Sequence, residues 1–325
     1  MQERLIQKAI ELLENGSVDR VLGWKQGEFF YDLTPAIFRS REEIEKDFRF
    51  TPFSGANLSK YLIAESRKGG KIAAFIKPCD SYSFSQLLKE HRIRRENVYV
   101  VGVQCDGMCD VEKIRAMGCE GITAVREDGE NLVVDTLYEQ HTVARKDALL
   151  ERCTVCKSKR IVLFDELIGE QGEELESDRF RQVAELEAMT PEERYGFWRG
   201  ELSRCIRCNA CRNVCPACSC EKCVFDNDQS GVKNKAAADS FEENMFHIIR
   251  AFHVAGRCTD CGECSRVCPQ NIPLHLLNRK FIKDINELYG TYQAGSDLET
   301  KSPLTDYTTG DCEPSIVHTR GGEKS

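Results

Sequence analysis

Residues 205–216 read CIRCNACRNVCP and residues 258–269 read CTDCGECSRVCP. Both obey C-x-x-C-x-x-C-x-x-x-C-P, so Cys205, Cys208, Cys211 and Cys215 have counterparts in Cys258, Cys261, Cys264 and Cys268. Two-residue spacers let the chain wrap a cubane with its amides turned toward the sulfides, while the fourth cysteine, leaving with a proline, points to a second cluster. The spacing therefore assigns one [4Fe–4S] cluster to Cys205, Cys208, Cys211 and Cys268, and a second to Cys258, Cys261, Cys264 and Cys215. Zinc is the competing reading, but tetrahedral zinc sites are built from pairs of C-x-x-C, without a third cysteine at this spacing followed by C-P. Cys218, Cys220 and Cys223 follow directly in CPACSCEKC. Three readings stand for them: structural thiols, replacements for an assumed ligand, or ligands of another metal.

The composition around these arrays is that of a globular chain. A length of 325 residues with 41% hydrophobic residues suffices for two modest domains. A net charge of −8 and a pI near 5.5 argue against a nucleic-acid or anionic-membrane partner, which would favour a basic face. No run approaches the roughly 20 apolar residues that span a bilayer. The opening MQERLIQKAIELLENG lacks the apolar core and cleavage site of a signal peptide. The expected location is cytoplasmic, and in that reducing compartment 18 cysteines are explained by thiolate ligation of metal rather than by disulfides.

Working outward, Leu5, Ala9, Leu12 and Leu13 have helical spacing and Gly16 sits where that helix should end. The apolar runs KIAAFI and VYVVGV, residues 71–76 and 98–103, flank a helical stretch from Ser81 to Glu90, which predicts a strand–helix–strand unit with parallel strands. Ile161 to Phe164 is a candidate for a further strand. Residues 171–200, rich in Glu and Arg, read as a helical, solvent-facing connector, or as a solvated helix packed on the first domain. Between the two arrays, Ser240 and Glu243 form a capping box ahead of an apolar stripe of Met245, Ile248, Ile249 and Phe252, ended by Gly256. After Pro273 a second amphipathic helix places Leu274, Leu277, Phe281, Ile285 and Leu288 on one face. The polar residues from 293 on read as a disordered tail or an arm that orders on a partner.

Parallel strands bring Cys79 and Cys105 to the same sheet edge, where α/β proteins bind ligands. Cys153 and Cys156 add a C-x-x-C pair just before the third candidate strand. A third [4Fe–4S] cluster held by Cys79, Cys105, Cys153 and Cys156 follows, with a zinc site or buried unligated thiols as the alternatives. Cys109 is the reserve for Cys105, and Cys119 and Cys312 look uncommitted.

The stretch HVAGRCTDCGECSRVCPQNIPL, with 42 residues between Cys215 and Cys258, resembles the α-helical ferredoxin modules of succinate dehydrogenase and heterodisulfide reductase subunits. Upstream, the order AIELLENGSVDRVLG, KIAAFIKPCDSYSFSQLL, NVYVVGVQCDGMC and CTVCKSKRIVLFDELIG resembles the coenzyme F420 hydrogenase/dehydrogenase beta-subunit family over roughly residues 5–170. In that family a Pro-Cys turn, a cysteine after the next strand and a later C-x-x-C accompany a flavin and a cluster; the matching positions are Pro78, Cys79, Cys105, Cys153 and Cys156. The resemblances imply an α/β N-terminal domain with a partly parallel sheet (1–170), a connector (171–200), an α-helical ferredoxin-like dicluster domain (201–292) and a tail (293–325). They also imply FAD as a converter between hydride and single-electron chemistry, with the clusters carrying one electron each. Lys77 and Asp80 beside Cys79 would either meet the flavin or form a surface ion pair. The implied role is an electron-transfer subunit beside catalytic subunits of a hydrogenase, formate dehydrogenase or heterodisulfide-reductase-like complex. The alternative is a flavin-containing oxidoreductase acting directly on coenzyme F420 or a nicotinamide.

Overall fold

The structure is a computed structural model and describes residues 1–226 and 240–306, with the backbone alone for 240–244. It divides into two compact units, Met1–Arg179 and Phe180–Ser325. Among the described residues no helix is long and apolar enough to cross a membrane.

The first unit opens with α1 (Gln2–Glu14), whose Leu5, Ala9 and Leu12 are buried on one face and whose exit runs through Gly16 at φ +72°. Next come β1 (Arg20–Gln26), its antiparallel partner β2 (Leu33–Phe38), and α2 (Arg41–Asp47), capped by Ser40. Gly23 in β1 is required by packing, because a Cβ there would lie 2.3 Å from the buried Phe48 ring. After α3 (Leu62–Glu65) the expected strand–helix–strand is present as β3 (Ile72–Ile76), α4 (Pro78–Lys89) and β4 (Val98–Val103). β3 is parallel to β4 in the register Ala74↔Val100, and all five of its residues are buried, as a strand covered on both faces must be.

α5 (Val111–Ala116) leads to an antiparallel meander that periodicity did not single out: β5 (Ile122–Asp128), β6 (Asn131–Thr136) and β7 (Gln140–Ala144). α6 (Glu151–Thr154) and β8 (Glu166–Ile168) complete the unit. The five-stranded sheet has the order β2-β1-β3-β4-β8, parallel except for β2, so it is mixed.

The third strand is β8, not Ile161–Phe164. The Asp165 carboxylate takes the Val100 amide at 2.7 Å, so the ladder to β4 starts only after it. Ile161 instead lies against the face of Gly102, where a Cβ would meet its Cδ1 at 2.9 Å.

Among the described residues of the second unit every regular element is helical: α7 (Arg181–Ala188), α8 (Pro191–Ser203), α9 (Ala210–Val214), α10 (Ser240–His253), α11 (Glu263–Arg266) and α12 (Leu274–Tyr289), with one 3₁₀ turn at Val224–Asp226. α7 packs on α12, α8 on α10, α9 on α11, and α10 on α12. The stretch read as a connector is built into this unit from residue 180: Val183 and Leu186 meet Leu276, and Trp198 and Leu202 join Cys211 and Phe246. Thr190 and Glu193 form a capping box at the start of α8. The capping box expected at Ser240 and Glu243 lies outside the described residues, as does Cys312.

The inner faces of α10 and α12 differ from the stripes expected of them. Met245, Ile248 and Phe252 are 41%, 41% and 60% exposed, while Phe246, His247, Arg250, Ala251 and Val254 are buried. On α12 the buried set is Leu274, His275, Leu276, Asn278, Arg279, Ile282 and Ile285, with Leu288 exposed. The cause lies in what these helices face: thiols and loop amides are polar neighbours, so His, Asn and Arg point inward. Past α12, Tyr292 and Ala294 pack with Ile285, and the Tyr292 hydroxyl donates to the Gly256 carbonyl at 2.9 Å. The chain from 293 to 306 thus begins folded against its own unit.

Candidate functional site

The two arrays share a backbone device. Arg207 and Asn209 are left-handed (φ 54° and 60°), and so are Asp260 and Gly262 (φ 58° and 66°), the residues before and after the second cysteine of each array. This conformation costs an ordinary residue about 1–2 kcal/mol, so finding it at three non-glycine positions and one glycine in matched places marks loops shaped around something. Each loop then enters a short helix, α9 or α11. The second loop is pinned from outside, since the buried Arg279 Nε donates to Asp260 Oδ1 at 2.9 Å.

Cys205, Cys208 and Cys211 from the first array and Cys268 from the second line one recess, of about 330 Å³ including its open mouth. Phe246 and His247 of α10 and Ile272 and Leu274 ahead of and within α12 close it. The Arg207 amide donates to Cys205 Sγ at 3.4 Å, and His247 Nε2 lies 3.2 Å from the same sulfur. Burial first, then the cations Arg250 and Arg207, push the His247 pKa down to about 3. The ring is therefore neutral, and the tautomer with Nε2–H is the one that serves a thiolate. Burial likewise pushes the Cys211 thiol up to about 12.

Cys258, Cys261 and Cys264 each lie within electrostatic reach of Cys215, the fourth cysteine of the other array. Burial is the main reason that all three thiols titrate above their ordinary range. Asn278 Nδ2 reaches Cys264 Sγ at 3.6 Å. The extra cysteines separate: Cys218 packs with Cys215, Cys258 and Val254, Cys223 packs beside Leu202 and Phe246, and Cys220 is exposed.

Among the described residues no three of His, Cys, Asp and Glu converge as one metal ion requires. Cys205, Cys208, Cys211 and Cys268 instead line an open recess, a donor set suited to a multi-iron cubane with sulfides between the ligands. A further observation fits an anionic group among the thiols. Arg250, 1% exposed, has all three guanidinium nitrogens buried without a hydrogen-bond partner. Burial alone would lower the Arg250 pKa, yet Cys264, Cys211, Cys215 and Cys218 outweigh it and the value is raised. Sequence reasoning missed Arg250, His247 and Asn278. The available signal was the placement of His247 and Arg250 three apart inside an otherwise apolar run.

In the first unit, Cys79 at the first turn of α4 and Cys105 just after β4 are mutually within electrostatic reach, and Cys105 is within reach of Cys153. Burial raises both Cys79 and Cys105, while Arg152 and Lys77 pull Cys79 down and Lys159 pulls Cys105 down. The Met108 amide donates to Cys153 Sγ at 3.4 Å. Cys156 lies beside Tyr82, and its Sγ meets the Ser158 carbonyl at 3.2 Å. Cys109 is a core thiol, 4% exposed, and Cys119 is fully buried.

Lys77 and Asp80 form an ion pair of 3.0 Å, but both are fully buried rather than at the surface. Lys77 Nζ also donates to the Ala56 carbonyl at 2.8 Å and lies 4.3 Å over the Trp24 ring. Two of its donors are thereby engaged and its charge faces the Trp24 ring, so it braces the start of α4.

A family model described as "4Fe-4S dicluster domain" matches residues 201–272. The F420-dependent formate dehydrogenase subunit beta of Methanocaldococcus jannaschii is 25% identical over 346 aligned positions, covering 88% of this chain and 89% of that protein. The F420-dependent formate dehydrogenase 1 subunit beta of Methanococcus maripaludis is 24% identical, covering 90% of each. Over about nine-tenths of its length the chain is thus similar to beta subunits of F420-dependent formate dehydrogenases, in line with the resemblance read from its motifs. In this chain a mixed-sheet unit is followed by a ferredoxin-type 4Fe-4S domain. The chain is also similar to a putative ferredoxin-3 of Sinorhizobium fredii, 35% identical over 75 residues, which are 22% of this chain and 70% of that protein.

Proposed function

We propose that this chain is the iron–sulfur electron-transfer subunit of an anaerobic oxidoreductase complex, relaying single electrons through its α-helical dicluster domain. One observation carries the reading: three cysteines of each array meet the fourth of the other, at the recess that joins Cys268 to Cys205, Cys208 and Cys211 and at the contacts of Cys215 with Cys258, Cys261 and Cys264. These sets would hold two [4Fe–4S] clusters, which exchange one electron each. The chain's own groups hold the thiols in place, keep water from Cys211, Cys261 and Cys264, and aim the Arg207 amide and His247 at Cys205. Cys79, Cys105 and Cys153, with Cys156 beside Tyr82, are the proposed ligands of a third cluster.

The catalytic partner is proposed to be a formate dehydrogenase subunit, since two relatives matched over about nine-tenths of their length are named for that activity. The same names carry the word F420-dependent, which favours a second reading in which this chain binds FAD and meets the deazaflavin itself. A flavin would split a hydride into single electrons for the thiolate-bound iron.

Anaerobic purification with iron, sulfide and flavin analysis tests both readings. Two clusters give about eight iron atoms per chain and three give about twelve. Bound flavin with turnover of F420 by the isolated chain favours the second reading. A folded chain that holds only zinc, or no metal at all, overturns both.

A further inference from the structure

Arg250 is the only arginine among the described residues whose three guanidinium nitrogens are all buried and without a partner. A guanidinium stays protonated in proteins, and a buried charge with nothing opposite it carries a large desolvation penalty. The groups that face it are Cys264, Cys211, Cys215 and Cys218. Cys211 belongs to one proposed ligand set, and Cys264 and Cys215 belong to the other. The side chain is thus placed where it can act on both. It is held there by α10, whose Phe246 and Ala251 are buried, as is Val254 just past the helix end.

We propose that Arg250 is a countercharge shared by the two clusters of the dicluster domain, raising the reduction potential of both; this rests on the cubane reading given above. Each four-thiolate cubane carries two net negative charges when oxidised and three when reduced. Reduction adds one electron, supplied by dithionite in a titration, and neither forms nor breaks a bond. A fixed cation in a low-dielectric setting favours the more negative form, and burial protects that effect from salt. Arg207, a second cation near the first array, is half-buried and stacks 4.1 Å over the Phe246 ring. Water therefore screens its field more than that of the fully buried Arg250.

The test compares the full chain with Arg250→Met and Arg250→Lys, each prepared anaerobically and assayed first for iron and sulfide. Dithionite titration followed by electron paramagnetic resonance then gives both midpoints. In Arg250→Met both should move negative, lowering the reduced-to-oxidised ratio at a fixed poise about tenfold, which is 59 mV for a one-electron couple. Arg250→Lys should stay within about threefold of the parent. Unmoved midpoints in Arg250→Met at full iron content overturn the proposal, as does a shift confined to one cluster or an equal shift in Arg250→Lys. Should Arg250→Met fail to take up iron, occupancy in Arg250→Lys decides: retention supports a requirement for charge, and loss there too overturns it. Absence of iron from the parent chain is a different failure, that of the cubane reading itself.

Discussion

Replacing Cys215 with Ser removes a thiol that lies in the first array yet faces Cys258, Cys261 and Cys264. The expected outcome is loss of the second cluster's resonance with the first largely kept, and Cys268→Ser should give the reverse. Spectra in which each variant loses the cluster of its own array would refute the exchange. Lys77 offers a second residue-level prediction. Lys77→Met leaves Asp80 buried without its cation, and breaking such a pair costs about 3–5 kcal/mol. Denaturant unfolding should show that loss, and a double variant that also converts Asp80→Leu should recover part of it. These thiols were legible one by one because ligand spacing is a property of the chain. Arg250 was not, and for Lys77 the pairing with Asp80 was readable but its burial was not, because what makes both unusual is their surroundings.

Among the elements, the helices of the second unit show how a periodicity argument goes astray. Met245, Ile248 and Phe252 have the right spacing for an inner face, yet they lie outward because the opposite face carries His247 and Arg250 toward the thiols. Apolar spacing identifies the core side only when the core is apolar. The strand–helix–strand over 71–103 was readable for the converse reason, since the apolar residues of β3 and β4 are buried except for the half-buried Tyr99. The three-stranded meander was missed because its pattern of half-buried residues gives little alternation. Two element-level predictions follow from local contacts. Thr190→Ala removes one side of the capping box of α8 and should lower stability by about 1 kcal/mol in a denaturant titration. Asp260→Ala removes the carboxylate that accepts from the buried Arg279 Nε and should lower stability in a denaturant titration, with faster loss of iron from the second cluster to a chelator.

For the whole molecule, the two units differ in what stabilises them. Unit one has a continuous apolar core around β1, β3 and β4, whereas the largest core of unit two includes Cys211 and Cys264 among its few buried residues. Stripping iron anaerobically should therefore raise amide exchange throughout α9 to α12 while leaving β1, β3 and β4 protected, as hydrogen-exchange mass spectrometry would report. Equal deprotection of both units would contradict this division of labour. The matched left-handed residues have a consequence of another kind. Stretches 205–215 and 258–268 follow the same turns, so a permuted gene in which they trade places would still present three sulfurs from one cassette and one from the other. What such a swap would lose is the tether between Asp260 and Arg279. The first symptom of the exchange should be a loosened hinge on one side and not a missing ligand.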